Sequence, residues 1–277
     1  MLSKKIMPQL IHSPVMRFML AAWLCVAFVS TLRSQIVTLN FDDFADYQNN
    51  FVSLGPDPQF LSSGGMSGGG SLGFSHLNSG ISTYHVLQSQ PIPLRASYEM
   101  VLRFQYHAGF GSTLNFGIFS DDETFGGYQP TGIDPSMYTT LGSSNSVSLF
   151  TSYTFLSSGS FFPIHEDGDW LQLVLRTEYL GTALGVIDHY DITGTLYSGS
   201  DLLRQNPIGE AYYSLNTVQF QNKTTGYVFF GSGSTSDMLY QIDQFTLNAI
   251  PEPDTWVLLV VAGIVGFLWK KRKMTEV

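Results

Sequence analysis

The sequence predicts an all-β fold, an antiparallel two-sheet β-sandwich flanked by an N-terminal signal helix and a C-terminal transmembrane helix. Three observations support this. Hydrophobic residues make up 44% of the 277 residues and charged residues 13%, and phenylalanine (21) and tyrosine (14), which suit half-buried pleated sheets, are abundant. Apolar and polar residues alternate along most of the sequence between its two terminal segments. No amphipathic helix of twelve residues occurs between positions 36 and 250.

Alternation is clearest in residues 98–107, where every second residue is apolar and Glu99 and Arg103 fall on the other side. The same pattern recurs with turn signals between the runs. Further strands are predicted at residues 37–41, 114–118, 147–155, 171–179, 186–196, 218–220, 228–230 and 239–247. Many antiparallel strands, each with one buried face, imply two packed sheets.

The N-terminus, residues 1–34, is predicted to be an export signal. Residues 1–17 include basic side chains and no acidic ones, and residues 18–29 form an apolar run of the length of a signal-peptide core. Met16 is an alternative start, and cleavage is expected near Ser34. The alternative interpretation of this stretch is a buried helix of a cytosolic protein.

The C-terminus, residues 250–277, has three consecutive parts. They are Pro251, Glu252 and Pro253, then an apolar segment at about residues 255–269, then a basic tail of Lys270, Lys271, Arg272 and Lys273. The prolines prevent a helix from continuing upstream. As a helix, residues 256–269 extend about 21 Å, short of a hydrocarbon core of about 30 Å, and the tryptophans at its ends and the long lysine side chains increase its reach. The positive-inside rule places the tail in the cytoplasm and the body outside.

This order of parts resembles the PEP-CTERM sorting signal of Gram-negative bacteria that make exopolysaccharide. The resemblance implies that a membrane-embedded exosortase recognises Pro251, Glu252 and Pro253 and removes the helix, while residues 270–273 stop and orient the chain in the membrane. It implies an inner-membrane anchor before processing, and the cell surface or extracellular matrix afterwards. The alternative is an ordinary tail anchor without processing.

Residues 35–249 are predicted to form one domain, and three local features bear on its type. The glycine-rich residues 64–74 are either a flexible linker or a lead into a strand, and the apolar residues that follow favour the strand. Residues 167–173 resemble the turn and strand of laminin-G and other concanavalin A-like sandwiches. In residues 240–247 the apolar phase changes across Asp243, as a β-bulge requires, and this ending resembles the last strand of many extracellular jelly rolls.

Charge is distributed unevenly along the chain. Between residues 35 and 250, five basic residues face nineteen acidic ones, a net charge of −14, which disfavours nucleic acid as a partner. Asp42 and Asp43 follow the first strand, Asp243 lies in the last, and jelly rolls often bring these strands together. Carboxylates that converge need a hard cation to offset their repulsion, so the three residues are a candidate Ca²⁺ site. The alternative is three solvent-exposed turn residues, with no cofactor.

Catalytic signatures are missing from the sequence. Retaining glycosidases on concanavalin A-like folds carry a Glu-x-Asp-x-x-Glu pattern, which does not occur, and Glu99 and Glu178 stand alone on their predicted strands. The six histidines lack metal-ligand spacing, and the single Cys25 lies in the signal segment. We therefore expect a non-enzymatic protein of the cell envelope or extracellular matrix that is exported, processed by an exosortase and binds exopolysaccharide through exposed aromatic residues. The alternative is a secreted polysaccharide-active hydrolase.

Overall fold

The computed structural model describes residues 34–76, 83–106, 114–120, 136–142, 146–151, 154–160, 168–221, 223–232 and 238–250. The predicted signal helix, the predicted transmembrane helix, residues 251–253 and the basic tail 270–273 lie outside these residues. Residues 35–249 form one compact unit. Within the described ranges, no helix is both long and apolar enough to span a bilayer.

The described elements are strands except for one short helix. In chain order they are β1 (Ser34–Leu39), α1 (Phe44–Asn50), β2 (Phe51–Leu54), β3 (Gln59–Leu61), β4 (Ser71–His76), β5 (Thr83–Leu87), β6 (Ile92–Pro93), β7 (Ser97–Tyr106), β8 (Leu114–Phe119), β9 (Ser136–Gly142), β10 (Ser146–Thr151), β11 (Thr154–Ser160), β12 (Trp170–Ala183), β13 (Ile187–Ser198), β14 (Pro207–Thr217), β15 (Thr225–Ser232) and β16 (Met238–Ile250).

These strands form two antiparallel sheets. Sheet A has the order β14–β13–β12–β7–β16–β4–β3, with β1 paired to β16, and sheet B has the order β11–β10–β9–β8–β15–β5–β2, with β6 paired to β15. The predicted fold class, an antiparallel two-sheet β-sandwich, is confirmed for the described residues. The first strand pairs with the last, as expected for a jelly roll.

Three local expectations are also confirmed. The glycine-rich residues 64–70 lead into β4 rather than link two domains. Gly168, at φ +91°, forms a turn just before Trp170 opens β12. In β16 the fully buried apolar residues change from even numbers, 240 and 242, to odd numbers, 245 and 247.

The strand predicted at residues 218–220 is wrong. These residues form a turn, closed where Gln221 N donates to Val218 O at 3.0 Å, and the strand is β14, immediately before them. β14 does not show a clear period-2 pattern, because the consecutive residues Tyr212 and Tyr213 point to opposite faces of the sheet and are both exposed. It lies at an edge of sheet A, where an inward-facing side chain is not fully covered.

The core between the sheets is built from phenylalanine rings contributed by both. Phe51 of sheet B meets Phe245 of sheet A edge to face at 5.9 Å between centroids, and Phe74 of sheet A meets Phe230 of sheet B at 5.8 Å. All four rings are buried, and burial of each stabilises the fold by about 1.5–3 kcal/mol. This core fixes which side chains of sheet A point outward.

Candidate functional site

The candidate site lies on the outer face of sheet A, where β12, β13 and β14 run side by side. Leu173 and Leu175 of β12 and Ile192 of β13 point into the core, so their sequence neighbours point outward. Two rows of outward side chains result, Arg176–Thr193–Tyr212 and Glu178–Asp191–Ser214. These six residues are called the outer-face site.

A tight turn and one bulge set the register of this face. Leu184 and Gly185, at the tip of the β12–β13 hairpin, have φ of +53° and +73°, as in the type I′ turns that match strand twist. The register then shifts by one residue between Tyr179 and Gly181, which leaves Leu180 unpaired. Without this bulge, Glu178 of β12 would pair with the core residue Ile192 instead of with Asp191 of β13.

The site holds two carboxylates, one guanidinium and one exposed ring. Arg176 Nη2 lies 3.3 Å from Glu178 Oε2, and both side chains are nearly half exposed, so this pair contributes about 0–1 kcal/mol to stability. Tyr212 is 54% exposed. Its phenol has a raised pKa, first because it is hydrogen-bonded to the Asp191 carboxylate and then because of desolvation. Asp191 Oδ1 is buried and has no hydrogen-bond partner among the described residues.

A loop limits the site on one side. Residues 199–206, which join β13 to β14, fold back across the neighbouring rows of sheet A. Gln172 Nε2 donates to the carbonyl oxygens of Ser198 and Asp201, both at 3.0 Å. Arg204 Nη1 donates to Glu99 Oε1 at 2.9 Å, and Glu99 is the β7 neighbour of Arg176. The outer-face site therefore begins where this covering loop ends.

The predicted metal residues are brought together only in part. Asp42 Oδ1 accepts from Gly70 N at 3.2 Å and Asp243 Oδ1 accepts from Met66 N at 3.1 Å, so both carboxylates hold the glycine-rich turn of residues 64–70. Asp43 does not join them. It is the N-cap of α1, and its Oδ1 accepts from Ala45 N at 3.0 Å.

The Asp42–Asp243 pair is offset by hydrogen-bond donors and by Arg103. Arg103 Nη1 lies 3.6 Å from Asp243 Oδ2. Burial raises the pKa of Asp243, the Met66 N–H and Arg103 lower it, and the charge of Asp42 raises it again. In the part of the chain that the structure describes, no group of three His, Cys, Asp or Glu residues is placed to hold a metal. Ca²⁺ takes six to eight oxygen ligands, of which Asp42 and Asp243 would supply only a part, so calcium binding here stays a prediction.

Close approach to these carboxylates explains the glycines of the turn. A Cβ atom added at Gly65 would collide with Asp243 Oδ1, and one added at Gly69 would collide with Asp42 Oδ1. The backbone can reach the two carboxylates only because both positions lack a side chain. The Asp42–Asp243 pair is therefore a structural clamp on the turn that precedes β4.

The outer-face site is not predicted by the sequence. Glu178 stands alone on its predicted strand, and no sequence pattern marks Asp191, Arg176 or Tyr212 as functional. The Leu184-Gly185 turn is the signal from which the β12–β13 register can be counted, but the bulge beside Leu180 carries no signature of its own. The predicted sorting residues 251–253 and 270–273 lie outside the described residues.

Chemically, the outer-face site suits a flat ligand rich in hydrogen-bonding groups. The face of a tyrosine ring packs on apolar surface while its hydroxyl stays available for hydrogen bonds. Carboxylates accept hydrogen bonds and a guanidinium donates several in a planar fork. Because the three strands run antiparallel and side by side, the two rows form an open surface that a long chain can cross.

Comparisons with known proteins give the following matches. No protein-family model and no curated protein matches the sequence. Among solved structures, the chain is similar to peanut lectin with a nine-residue peptide, at 13% identity and a TM-score of 0.41, over 77% of this chain and 97% of the lectin. It is similar to a legume lectin-like domain from Entamoeba histolytica, at 9% identity and a TM-score of 0.45, over 74% and 92%. A carbohydrate esterase from the Shiga toxin-encoding bacteriophage phi24B matches at 10% identity and a TM-score of 0.48, over 79% and 100%.

Proposed function

We propose that this chain is an exported, non-catalytic protein of the cell envelope or extracellular matrix whose sandwich binds polysaccharide on the outer-face site. The observation that carries the proposal is the 54% exposed ring of Tyr212 beside two carboxylates and a guanidinium on an open sheet face. Sugar rings present apolar C–H faces and polar hydroxyl edges, and this combination of groups matches both.

Several features favour a polymer over a small molecule. The two rows span three adjacent strands, and strands lie about 4.8 Å apart, so the site is about 10 Å wide across its strands. Among the described residues it is a sheet face bounded on one side by the covering loop, whereas small-molecule sites are concave and enclose most of the ligand. A polymer gains affinity on such a surface by repeating the same weak contacts along its length.

Truncating the exposed ring tests the binding proposal. We expect Tyr212→Ala to weaken binding to an oligosaccharide array by about tenfold, since a stacked aromatic platform contributes about 1–1.5 kcal/mol. Val218→Ala is the matched control, because Val218 is equally exposed at 55% but lies in the turn after β14. No binding by the parent protein, or equal losses for both variants, would contradict the proposal.

Delivery to the cell surface is the second part of the proposal and rests on the sequence of the C-terminus. Pro251, Glu252 and Pro253 hold an extended segment between the body and the apolar residues 255–269. An extended backbone at the membrane–water boundary is accessible to a membrane-bound exosortase, whereas a helical peptide bond is shielded by its own hydrogen bonds. The basic residues 270–273 hold the chain until cleavage.

Replacing residues 251–253 with three alanines tests sorting. We expect the variant to remain uncleaved in the membrane of a host that has an exosortase, because the helix can then extend upstream. Cell fractionation and intact-mass measurement of the released protein give the readout. Three alanines in place of residues 221–223, which lie between β14 and β15 in the sequence, are the control. Normal release of the 251–253 variant would contradict recognition of Pro-Glu-Pro.

One observation favours a hydrolase as a second candidate function. Glu178 and Asp191 are directly opposite each other on one face, where Cβ atoms lie about 4.5–5.5 Å apart. Retaining glycosidases need two carboxyl groups about 5–5.5 Å apart, one to protonate the leaving oxygen and one to attack the anomeric carbon before water releases the sugar. Like charges directly opposite each other are destabilising, and a catalytic role would account for the presence of the pair.

A reducing-sugar assay separates the two functions. A hydrolase would release reducing ends from a bound polysaccharide, and Glu178→Gln and Asp191→Asn would each abolish the release. Glu210→Gln, on the same outer face two rows away, would leave it unchanged. We expect no release from the parent protein, and release lost in the first two variants alone would replace the binding proposal.

A further inference from the structure

We propose that the tip of the β12–β13 hairpin, residues 179–187, docks on the bilayer that holds the C-terminal apolar segment before processing. This docking rests on the anchoring part of the proposed function and adds a second membrane contact to it. Three features of the hairpin support it: the tip has no charge, its leucines are exposed, and it points in the direction in which the chain leaves the domain.

The hairpin tip is an apolar exception on an acidic body. Residues 179–187 contain no charged side chain, although residues 35–250 carry a net charge of −14. Leu184 is 89% exposed and Leu180 is 55% exposed. Leu184 is the most exposed of the large hydrophobic side chains in the part of the chain that the structure describes, so it has nearly its full burial left to gain.

The charged residues that flank the tip do not oppose docking. Asp188, which follows the tip, is fully buried, and its Oδ1 accepts a hydrogen bond from Arg95 Nε at 3.1 Å. Glu178, which precedes the tip, is paired with Arg176. It lies six residues before Leu184, about 20 Å along an extended strand. Shallow insertion of Leu184, by about 5–10 Å, therefore leaves Glu178 in water.

β16 delivers the chain to the end of sheet A where the hairpin tip lies. β7 and β16 are neighbours in this sheet, and the ring of Phe104 meets the ring of Tyr240. One residue earlier in β7, Arg103 Nη1 lies 3.6 Å from Asp243 Oδ2, three residues later in β16. Rising numbers in one strand match falling numbers in the other, so the strands are antiparallel. The end of β16, at Ile250, therefore lies beside the beginning of β7.

The tip and the apolar segment extend a similar distance beyond this point. Tyr98 of β7 pairs with Thr177 of β12, and its level in β16 is about residue 248. Leu184 follows Thr177 by seven residues, and residue 255, where the apolar segment begins, follows residue 248 by seven. At about 3.3 Å per extended residue, each is at most about 23 Å beyond that level. A bilayer that holds the apolar segment is therefore within reach of Leu184.

The C-terminal segment makes a weak contact at the tip effective. One or two leucines do not hold a free protein on a membrane. A tether turns docking into an intramolecular step, so the contact is occupied at the high local concentration that the short linker sets. Because the contact is apolar, it does not need anionic lipid, whose charge the acidic body repels.

Fluorescence quenching in lipid vesicles tests the docking on the full-length protein. A polar, environment-sensitive dye is attached at Ala183→Cys, with Cys25→Ser so that this thiol is the only one, and the phosphatidylcholine vesicles carry a nitroxide in the upper acyl chain. We expect docking to be favoured by about tenfold, so most of the emission should be quenched, and Leu184→Asn should restore it. The same dye at Ser200→Cys, in the loop at the opposite end of β13, should stay unquenched.

Leu202→Asn is the matched control for polarity, because Leu202 is 64% exposed but lies in the covering loop, and it should leave the quenching at position 183 unchanged. In protein that floats with the vesicles, an unquenched dye at position 183, or quenching that Leu184→Asn does not reduce, would overturn the docking and leave the anchor intact. Quenching that requires phosphatidylglycerol would contradict an apolar contact. Failure of the full-length protein to float with the vesicles would overturn the proposed anchor as well.

Discussion

The outer faces of sheet A and sheet B differ in how they treat their aromatic residues. On sheet B, Tyr84, Phe119 and Phe229 point away from the core between the sheets and form a second buried cluster with Val86. On sheet A, Tyr212 stands more than half exposed among charged side chains. Alternation along a strand therefore assigns a side chain to a face, and whether that face is solvated depends on what packs against it. Phe155 of the edge strand β11 is the exception on sheet B, because it pairs with the outward-facing Phe150 and is 56% exposed.

The largest expected difference between the outer faces of the two sheets is in how much stability the protein loses when an aromatic ring on each face is truncated. Phe229→Ala should lower the free energy of unfolding by about 3–5 kcal/mol, because the ring is 1% exposed and its removal leaves a cavity. Tyr212→Ala should change it by no more than about 0.5 kcal/mol. Urea denaturation of both variants gives the comparison. Similar losses in the two would mean that the faces do not differ in the way described.

A smaller effect is expected from the loop that covers part of the sheet A face. Arg204→Ala removes the ion pair that Arg204 makes with the Glu99 carboxylate, whose side chain is 7% exposed. The loss should be about 2 kcal/mol, below the value for a fully buried pair because Arg204 itself is 25% exposed. Amide hydrogen exchange in residues 199–206 should accelerate. Arg176→Ala, which breaks the exposed pair on the same face, is the control and should change stability by about 0.5 kcal/mol or less.

The hairpin tip that carries the outer-face site should accept a stabilising change. Leu184 is 89% exposed and has φ of +53°, a left-handed conformation that asparagine tolerates better than leucine. Leu184→Asn should raise the free energy of unfolding by about 0.5–1 kcal/mol and leave glycan binding unchanged. Leu180→Asn, at an exposed position of the same hairpin, controls for added polarity. A thermal melt that shows no gain for Leu184→Asn alone would contradict the assigned turn.

The smallest effect concerns pH and the Asp42–Asp243 clamp. Because the folded-state pKa of Asp243 is raised above 3.8, chiefly by burial, the folded state holds the proton more tightly than the unfolded state. The stability that this proton contributes is present below pH 3.8 and is lost as the pH rises through the folded pKa. The wild type should thus lose stability relative to Asp243→Asn over that range, as measured by chemical denaturation at a series of pH values. A constant difference would contradict the direction of the shift.

Calcium remains a prediction at this clamp, and its test is separate from the pH series. Thermal melts with Ca²⁺ and with chelator should coincide if Arg103 and the backbone amides of Met66 and Gly70 already offset the two carboxylates. A higher melting temperature in Ca²⁺ that Asp42→Asn abolishes would restore the original expectation. Asp43→Asn should not affect the response, because Asp43 caps α1.

Local pattern predicted the architecture well and the site poorly, for a physical reason. Period-2 alternation depends on the chain itself, so the core face of β7 or β12 follows from neighbouring residues. Glu178 lies opposite Asp191 only because of a one-residue register shift beside Leu180. This shift displaces every β12–β13 pair that lies farther from the hairpin tip. β8 shows another limit, because Leu114, Phe116 and Ile118 alternate with Asn115 and Gly117 and yet all six of its residues are buried. Alternation identifies the strand but does not reveal that both of its faces are covered.

The place of the last strand in sheet A has a mechanical consequence. β16 is 13 residues long, runs between β7 and β4 in the middle of the sheet, pairs with β1 as well, and ends at Ile250, one residue before Pro251. A tether that pulls on that end transmits force to an interior strand, which can leave only if hydrogen-bond ladders on both of its sides rupture together. An edge strand is held by a single ladder, and it can peel away as the hydrogen bonds of that ladder break one after another. The domain is therefore built to resist traction from its C-terminal end.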